Sequence, residues 1–350
     1  MTTLSAERVR SGTTISIRDV SLFVDVVGRG YPLVLMHGGP GADHYTMLPF
    51  RRCKDRFTLV FYDHRCNGRS TGAPVSSMTW DNLTADADAL RQKLGFDKWA
   101  VLGHSFGGQV ALEYALRYPD SLSHLVLLDT GGDSRWSQQN AADLLTRRGY
   151  SHEKAELVRR WFNGEFAPNE MFRILLRIGD AYYHHPSILL LAREMIQGGW
   201  RTKMRPEALI FAGRHLLKGW TVMDRLGEIT VPTLVMAGRD DFVFPPEHQL
   251  ELAAGIPDAR LRIIERAGHS AHLEQPAEVM ELIRGFIGTD AVAACPQQML
   301  AVPSDRGGTM RLPGKPIPCA SSSCRPALGG RGSPTNAALG ETRTTSGLAA

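Results

Sequence analysis

No stretch of this chain approaches the run of about 18 apolar residues that a membrane-spanning helix needs, so a membrane span is not expected. The opening, MTTLSAERVRSG, has no apolar core, which argues against a secretory leader. Cysteine is scarce. There are five in 350 residues and none forms a C-x-x-C pair, so neither a disulfide framework nor a zinc site is indicated, and a cytoplasmic location is expected. Charge of one sign is also in short supply: the net charge is only +4. Residues 290–350 carry six Lys/Arg against Asp290, Asp305 and Glu341, which accounts for three of those four charges. The remainder is close to neutral and offers no nucleic-acid surface. The pair His184-His185 lacks ligand spacing with any carboxylate or cysteine, so no metal is called for. No cofactor is called for either. The expected partner is a small molecule or short peptide, with no nucleic acid and no membrane.

What the chain does have is alternation of strand-like and helix-like segments, the pattern of a mainly parallel sheet covered by helices. Residues 14–28 read as an antiparallel hairpin. PLVLMHG (32–38), FTLVFYD (57–63), WAVLGHS (99–105) and LSHLVLLDT (122–130) read as buried strands ending in loops. Residues 79–94 are the clearest helix, because Trp80, Leu83, Ala87, Leu90 and Leu94 recur at three- and four-residue spacing and Gly95 stops it. A polar break leads into a mostly helical stretch at about 134–226, after which strand–helix alternation resumes and ends with a helix from Pro276 to Ile287. Residues 1–132 and 227–289 are therefore expected to form the two parts of one core, with 133–226 as a helical lid inserted after the sixth strand. Residues 290–350 are rich in Gly, Pro, Ser and Thr, show no periodicity and hold Cys295, Cys319 and Cys324. They read as a disordered low-complexity tail.

The strongest chemical signal is WAVLGHSFGGQVALEYALRYP. Gly103-His104-Ser105-Phe106-Gly107 fits G-x-S-x-G between a strand and a helix, an arrangement that lifts a serine hydroxyl above a sheet. The helix N-terminus behind it favours a developing anion. A serine at its ordinary pKa needs a base and an orienting acid. TLVMAGRDDFVFPP offers Asp240 and Asp241 at a strand end, and RLRIIERAGHSAHLEQP offers His269 after Ala267-Gly268. A histidine in such a turn can reach across the sheet, whereas His272 lies nearer the last helix. The loop HGGPG (37–41) is not a phosphate cradle. Ala42-Asp43-His44 supplies neither the Lys nor the Ser/Thr that a phosphate needs, and the aspartate would repel it.

HGGPG, YDHRCNGRS, GHSFGG, GRDDFVFPP and AGHSAHLEQP, in this order, resemble the α/β-hydrolase superfamily. HGGPG followed by ADHY, with YDHR and GRS, is most similar to the proline iminopeptidase branch. The resemblance covers residues 12–288, is weak in the lid and does not extend into the tail. It implies an α/β-hydrolase fold with helices on both faces of the sheet. It also implies a serine hydrolase working through an acyl-enzyme, with Ser105 as nucleophile, His269 as base and Asp241 as orienter. Asp241 is favoured over Asp240 because the family's G-x-x-D-x-x-x-P pattern falls on Gly238, Asp241 and Pro245. The oxyanion hole is implied at the backbone N–H groups of Gly39 and Phe106. His37 is expected to brace its loop, and Asp63 and Arg65 to hold the neighbouring loop by an ion pair.

Two positions depart from the family pattern. An aminopeptidase of this branch is expected to carry an acid after the catalytic aspartate to bind the substrate's amine, and here that position is Phe242. Glu194 or Glu207 in the lid are the substitutes available. Cys66 stands where the family's loop usually has glycine, which implies a different turn or backbone strain. The implied activity is release of a small N-terminal residue such as proline. The alternatives are a carboxylesterase or lactonase on small hydrophobic esters, or a non-hydrolytic user of the fold such as a lyase or cofactor-free oxygenase.

Overall fold

The computed structural model describes residues 12–72, 74–187 and 201–288, together with the backbone of Met310–Arg311. The apolar runs form the strands of a single mixed sheet. They are β1 (Thr13–Ile17), β2 (Val20–Val27), β3 (Tyr31–Met36), β4 (Phe57–Tyr62), β5 (Trp99–His104), β6 (Leu122–Leu128), β7 (Thr233–Gly238), β8 (Ala259–Ile264) and β9 (Met310–Arg311). Their order across the sheet is β1-β2-β4-β3-β5-β6-β7-β8-β9. Strands β3 to β8 run parallel, while β1, β2 and the two-residue β9 are antiparallel additions at the edges. The short β9 departs from the expectation of a featureless tail, since its backbone pairs with Arg260 and Leu261. The rest of 290–350 lies outside the described residues.

Side chains of a strand point alternately to opposite faces, and both faces of this sheet are dry. On one face Val34 and Met36 of β3, Val60 of β4, Val101 of β5 and Leu125 of β6 share a core with Leu83, Ala87 and Leu90 of α1 (Trp80–Lys93) and Val110 of α2 (Phe106–Arg117). On the other, Leu33, Leu35, Leu59, Leu102 and Val126 meet Phe50 of the 3-10 segment His44–Cys53. Helix α1 begins where the Thr79 side chain accepts a hydrogen bond from the Asn82 N–H and ends before Gly95 at φ +78°, a start and stop visible in the sequence.

The described residues between β6 and β7 are mostly helical. They include α3 (Ala141–Arg147), α4 (His152–Phe162), α5 (Met171–Ile178) and α6 (Pro206–Phe211). Leu145, Val158, Trp161, Ile174 and Ile178 form a separate small core, and Phe242, Val243 and Phe244 from the loop after β7 pack into it. After β7 come α7 (Pro246–Gly255), α8 (Ala271–Glu274) and α9 (Pro276–Ile287). Val279 and Ile283 of α9 join the second face of the sheet.

The strand order positions the site. From β3 the chain moves to β4 on one side and later to β5 on the other, so β3 and β5 are neighbours, with Met36 beside Gly103. Connections that diverge in opposite directions leave a crevice beyond the carboxyl ends of such strands, where ligands of open α/β sheets bind. The loop 37–41 and Ser105 both emerge at that point. Two strands stop earlier than their apolar runs suggest because Ser105 (φ +52°) and Asp129 (φ +47°) turn the backbone out of the sheet.

Candidate active site

Ser105 occupies the turn between β5 and α2 with φ +52° and ψ −121°, a conformation that side-chain-bearing residues rarely adopt. The neighbouring glycines permit it. A Cβ on Gly103 would lie 2.4 Å from the Gly107 carbonyl oxygen, and one on Gly107 would lie 2.0 Å from that of Met36. The turn is pinned from both sides. The Ser105 N–H donates to the Leu128 carbonyl at 3.0 Å, and the Thr130 hydroxyl donates to the Ser105 carbonyl at 2.6 Å.

Three of the residues selected from the sequence come together here. The Ser105 hydroxyl lies 2.9 Å from His269 Nε2, and His269 Nδ1 lies 2.9 Å from Asp241 Oδ2. A carboxylate only accepts, so Nδ1 carries the proton and Nε2 is left to accept from the hydroxyl. The other oxygen of Asp241, Oδ1, accepts the N–H groups of Val243 at 2.7 Å and Phe244 at 3.1 Å. Burial alone would depress the His269 imidazole. The charge and hydrogen bond of Asp241, with a further push from Asp129, leave its pKa raised above the ordinary 6.5. Asp240 goes elsewhere. Its carboxylate is 40% exposed and takes a hydrogen bond from His184 Nδ1.

Loop 37–41 lies against the serine, close enough that a Cβ on Gly38 would come within 3.0 Å of Ser105 Cβ. Gly39 has φ +63° and its carbonyl accepts the Ala42 N–H at 2.8 Å, while the Gly41 N–H donates to Asn67 Oδ1. Phe106 is the first residue of α2, so its backbone N–H belongs to the electropositive end of that helix. His37 braces the loop, its Nδ1 donating to the Gly38 carbonyl at 3.0 Å and its Nε2 accepting the His64 N–H at 3.1 Å.

The pairing expected of Asp63 and Arg65 differs. Arg65 forks onto Asp86 of α1 at 2.6 and 2.8 Å and reaches Asp19 at 2.9 Å. Asp63 instead accepts from the backbone N–H and Nδ1 of His44 and from the Arg69 N–H. The guanidinium sits on the α1 side of the loop, so the two residues hold that loop through separate partners. Cys66 adopts φ +63°, and its thiol donates to the Gly72 carbonyl at 3.2 Å. The strain implied at this position is present.

Of the three residues considered for substrate contact, Phe242 is fully buried, its ring 5.2 Å from that of Tyr182 and 6.4 Å from that of Phe162. It cements the acid loop to the lid and presents no surface of its own. Glu207 is exposed in the first turn of α6. Glu194 lies outside the described residues.

Sequence reasoning missed the supports of the base. The His269 N–H donates to the Tyr182 carbonyl at 2.8 Å, and the Tyr182 ring stands edge-on 5.5 Å from the imidazole. Glu274 accepts the N–H groups of Gly268 at 2.7 Å and His184 at 2.9 Å, tying the histidine loop to the lid. Nothing in the lid's local pattern marks Tyr182. Asp129 was more visible, since it ends a buried strand as Ser105 does. His104, Asp129 and His272 are the one group of described residues with potential ligand atoms within 4.8 Å of one another. The Nδ1 atoms of His104 and His272 have no hydrogen-bond partner among the described residues, and the other groups are engaged. Asp129 accepts two backbone N–H groups, His104 Nε2 donates to the His269 carbonyl, and His272 Nε2 donates to the Thr46 carbonyl. They form a polar floor beneath the site.

The α/β hydrolase fold family matches residues 31–276. The 2-hydroxy-6-oxo-6-phenylhexa-2,4-dienoate hydrolase of Comamonas testosteroni is 29% identical over 302 residues, covering 82% of this chain and 99% of that protein. The proline iminopeptidase of Saccharolobus solfataricus is 30% identical over 276 residues, covering 75% and 86% respectively. Among solved structures, the proline iminopeptidase of Mycobacterium smegmatis superposes with a TM-score of 0.65 at 26% identity, over 81% of this chain and all of that one. The match runs from β3 to the start of α9 and takes in Ser105, Asp241 and His269, so the chain belongs to the α/β-hydrolase family and is similar to its proline iminopeptidase-like branch.

Proposed function

We propose that the protein is a serine hydrolase that works through an acyl-enzyme. The observation that carries this reading is the unbroken hydrogen-bond chain Ser105–His269–Asp241. Ser105 Oγ attacks a carbonyl carbon while His269 Nε2 takes its proton. Asp241 holds the imidazole in the required tautomer and offsets the imidazolium charge. The tetrahedral oxyanion is received by the N–H groups of Gly39 and Phe106, each such donor contributing about 10²–10³ in rate. His269 then protonates the leaving group, and a water activated by the same imidazole releases the acid.

For the substrate, HGGPG and the iminopeptidase relatives support an amide or peptide with a small N-terminal residue. A second reading, a small hydrophobic ester, is favoured by a specific observation. Phe242 stands after Asp241 in place of an acid and is sealed between Tyr182 and Phe162, so this position offers no counter-charge to a substrate ammonium. A prolyl arylamide assayed beside short- and medium-chain nitrophenyl esters separates the two. Amide turnover that requires a free N-terminus supports the aminopeptidase. Ester turnover with no amide turnover rejects it.

A further inference from the structure

Asp129 ends β6 and takes no part in the proton transfers described above. Its carboxylate is fully buried, and its backbone is held at φ +47°, a conformation kept only where the surroundings impose it. The two oxygens serve different elements. Oδ1 accepts the N–H of Gly238, the last residue of β7, at 2.8 Å. Oδ2 accepts the N–H of Ala271, the first residue of α8, at 3.0 Å. The Asp129 N–H also donates to the Met236 carbonyl at 2.8 Å, which locks the residue to β7.

These contacts straddle the reacting groups. Gly238 launches the loop that carries Asp241, and Ala271 lies two residues past His269. We propose that Asp129 is a positioning residue for the hydrolase reaction, one buried carboxylate that holds the acid loop and the base loop in register and adds a second negative field behind the imidazole. The proposal rests on the serine-hydrolase reading.

The groups facing Asp129 determine how far its charge is felt. Asp241 faces it from the β7 loop, His269 and His272 from the segment around α8, and His104 from the end of β5, with Nε2 4.0 Å away. Burial keeps His104 and His272 well below their ordinary values, His272 at about 4, so neither supplies a cation near neutral pH. His269 is the facing group that gains positive charge when it takes the serine proton. Burial and the like charge of Asp241 push Asp129 up to about 7, and its ionised form in turn raises His269. The charges of Asp129 and His269 therefore depend on each other.

Asp129→Asn removes the charge and turns one of the two acceptors into an amide donor facing a backbone N–H. The test measures inactivation by a fluorophosphonate across pH 5–9, which requires no knowledge of the natural substrate. The expected result is a maximal inactivation rate about tenfold lower, an almost unchanged half-saturation, and an acid limb shifted down by ~0.5 pH unit. A folded Asp129→Asn protein with the wild-type rate and the wild-type midpoint would overturn the proposal. Where this variant does not fold, titration of the wild type decides. The ¹³C carboxyl resonance of Asp129 and the ¹⁵N resonances of His269 should each respond to the other's titration, and resonances that titrate blind to one another refute it. Failure of the wild type itself to react overturns the serine-hydrolase reading, and this inference with it, which separates the two failures.

Discussion

Replacing Asp241 by asparagine keeps the size and shape of the side chain and tests which of two adjacent aspartates orients the base. Asp241 Oδ1 is fixed by two backbone donors, the N–H groups of Val243 and Phe244. An asparagine must therefore place its carbonyl oxygen there, because the opposite rotamer would set its NH₂ against both donors. The NH₂ is thus forced toward His269 Nδ1, where a donor now faces a donor. The imidazole escapes by moving its proton to Nε2, and in that tautomer it cannot accept from Ser105. A trapped tautomer of this kind costs about 10⁴ in kcat, or about 5 kcal/mol of transition-state stabilisation, with little change in KM or in thermal stability. Asp240→Asn should change the rate by less than about threefold, since an exposed pair contributes little and the Asp240 partner is His184. The assay is kcat on whichever arylamide or nitrophenyl ester is turned over, with fluorophosphonate inactivation as a substrate-independent second reading. A loss below about tenfold in Asp241→Asn, or a larger loss in Asp240→Asn, would refute the reasoning.

The acid limb of kcat/KM should have its midpoint above 6.5, because His269 works as a base only when neutral and its neighbours raise its pKa; a midpoint below 6.5 contradicts the electrostatic account. Arg65→Ala should lower stability by about 3 kcal/mol, because it leaves Asp86 buried with only the half-exposed Arg18 as counter-ion. Thermal denaturation should then show a Tm lower by roughly 6–12 °C, whereas an unchanged Tm would show that the buried fork adds nothing. Ending the chain at Thr289 removes β9, which pairs with only two residues of an edge strand. Fluorophosphonate labelling and Tm should persist, and loss of either would show that residues 290–350 support the core.

Much of this fold was legible because parallel strands buried on both faces must be apolar throughout, and few other structures write that pattern. The strand–turn–helix around Ser105 was legible for a related reason, since only glycine fits at 103 and 107 when β5, α2 and β3 approach so closely. Strand ends were less so. The turn at Asp129 is imposed by long-range bonds to Gly238 and Ala271, which no local pattern encodes. The choice between Asp240 and Asp241 came from family spacing, and its physical reason became visible only with the two N–H groups that hold Asp241. The partner of Arg65 was misjudged for the same reason: Asp86 is 21 residues away on a helix, while Asp63 is near in sequence but faces His44. Lid contacts such as the Tyr182 carbonyl on the His269 N–H left no mark in the sequence, because a backbone acceptor carries no residue preference.

The central claim, that Ser105 is the nucleophile of this fold, is tested most directly by identifying the residue a fluorophosphonate modifies. Mass spectrometry of the labelled wild-type protein should place one adduct on the peptide containing Gly103-His104-Ser105, and Ser105→Ala should remain unlabelled while keeping the wild-type Tm. An adduct on another residue, or equal labelling of a folded Ser105→Ala protein, would contradict the account.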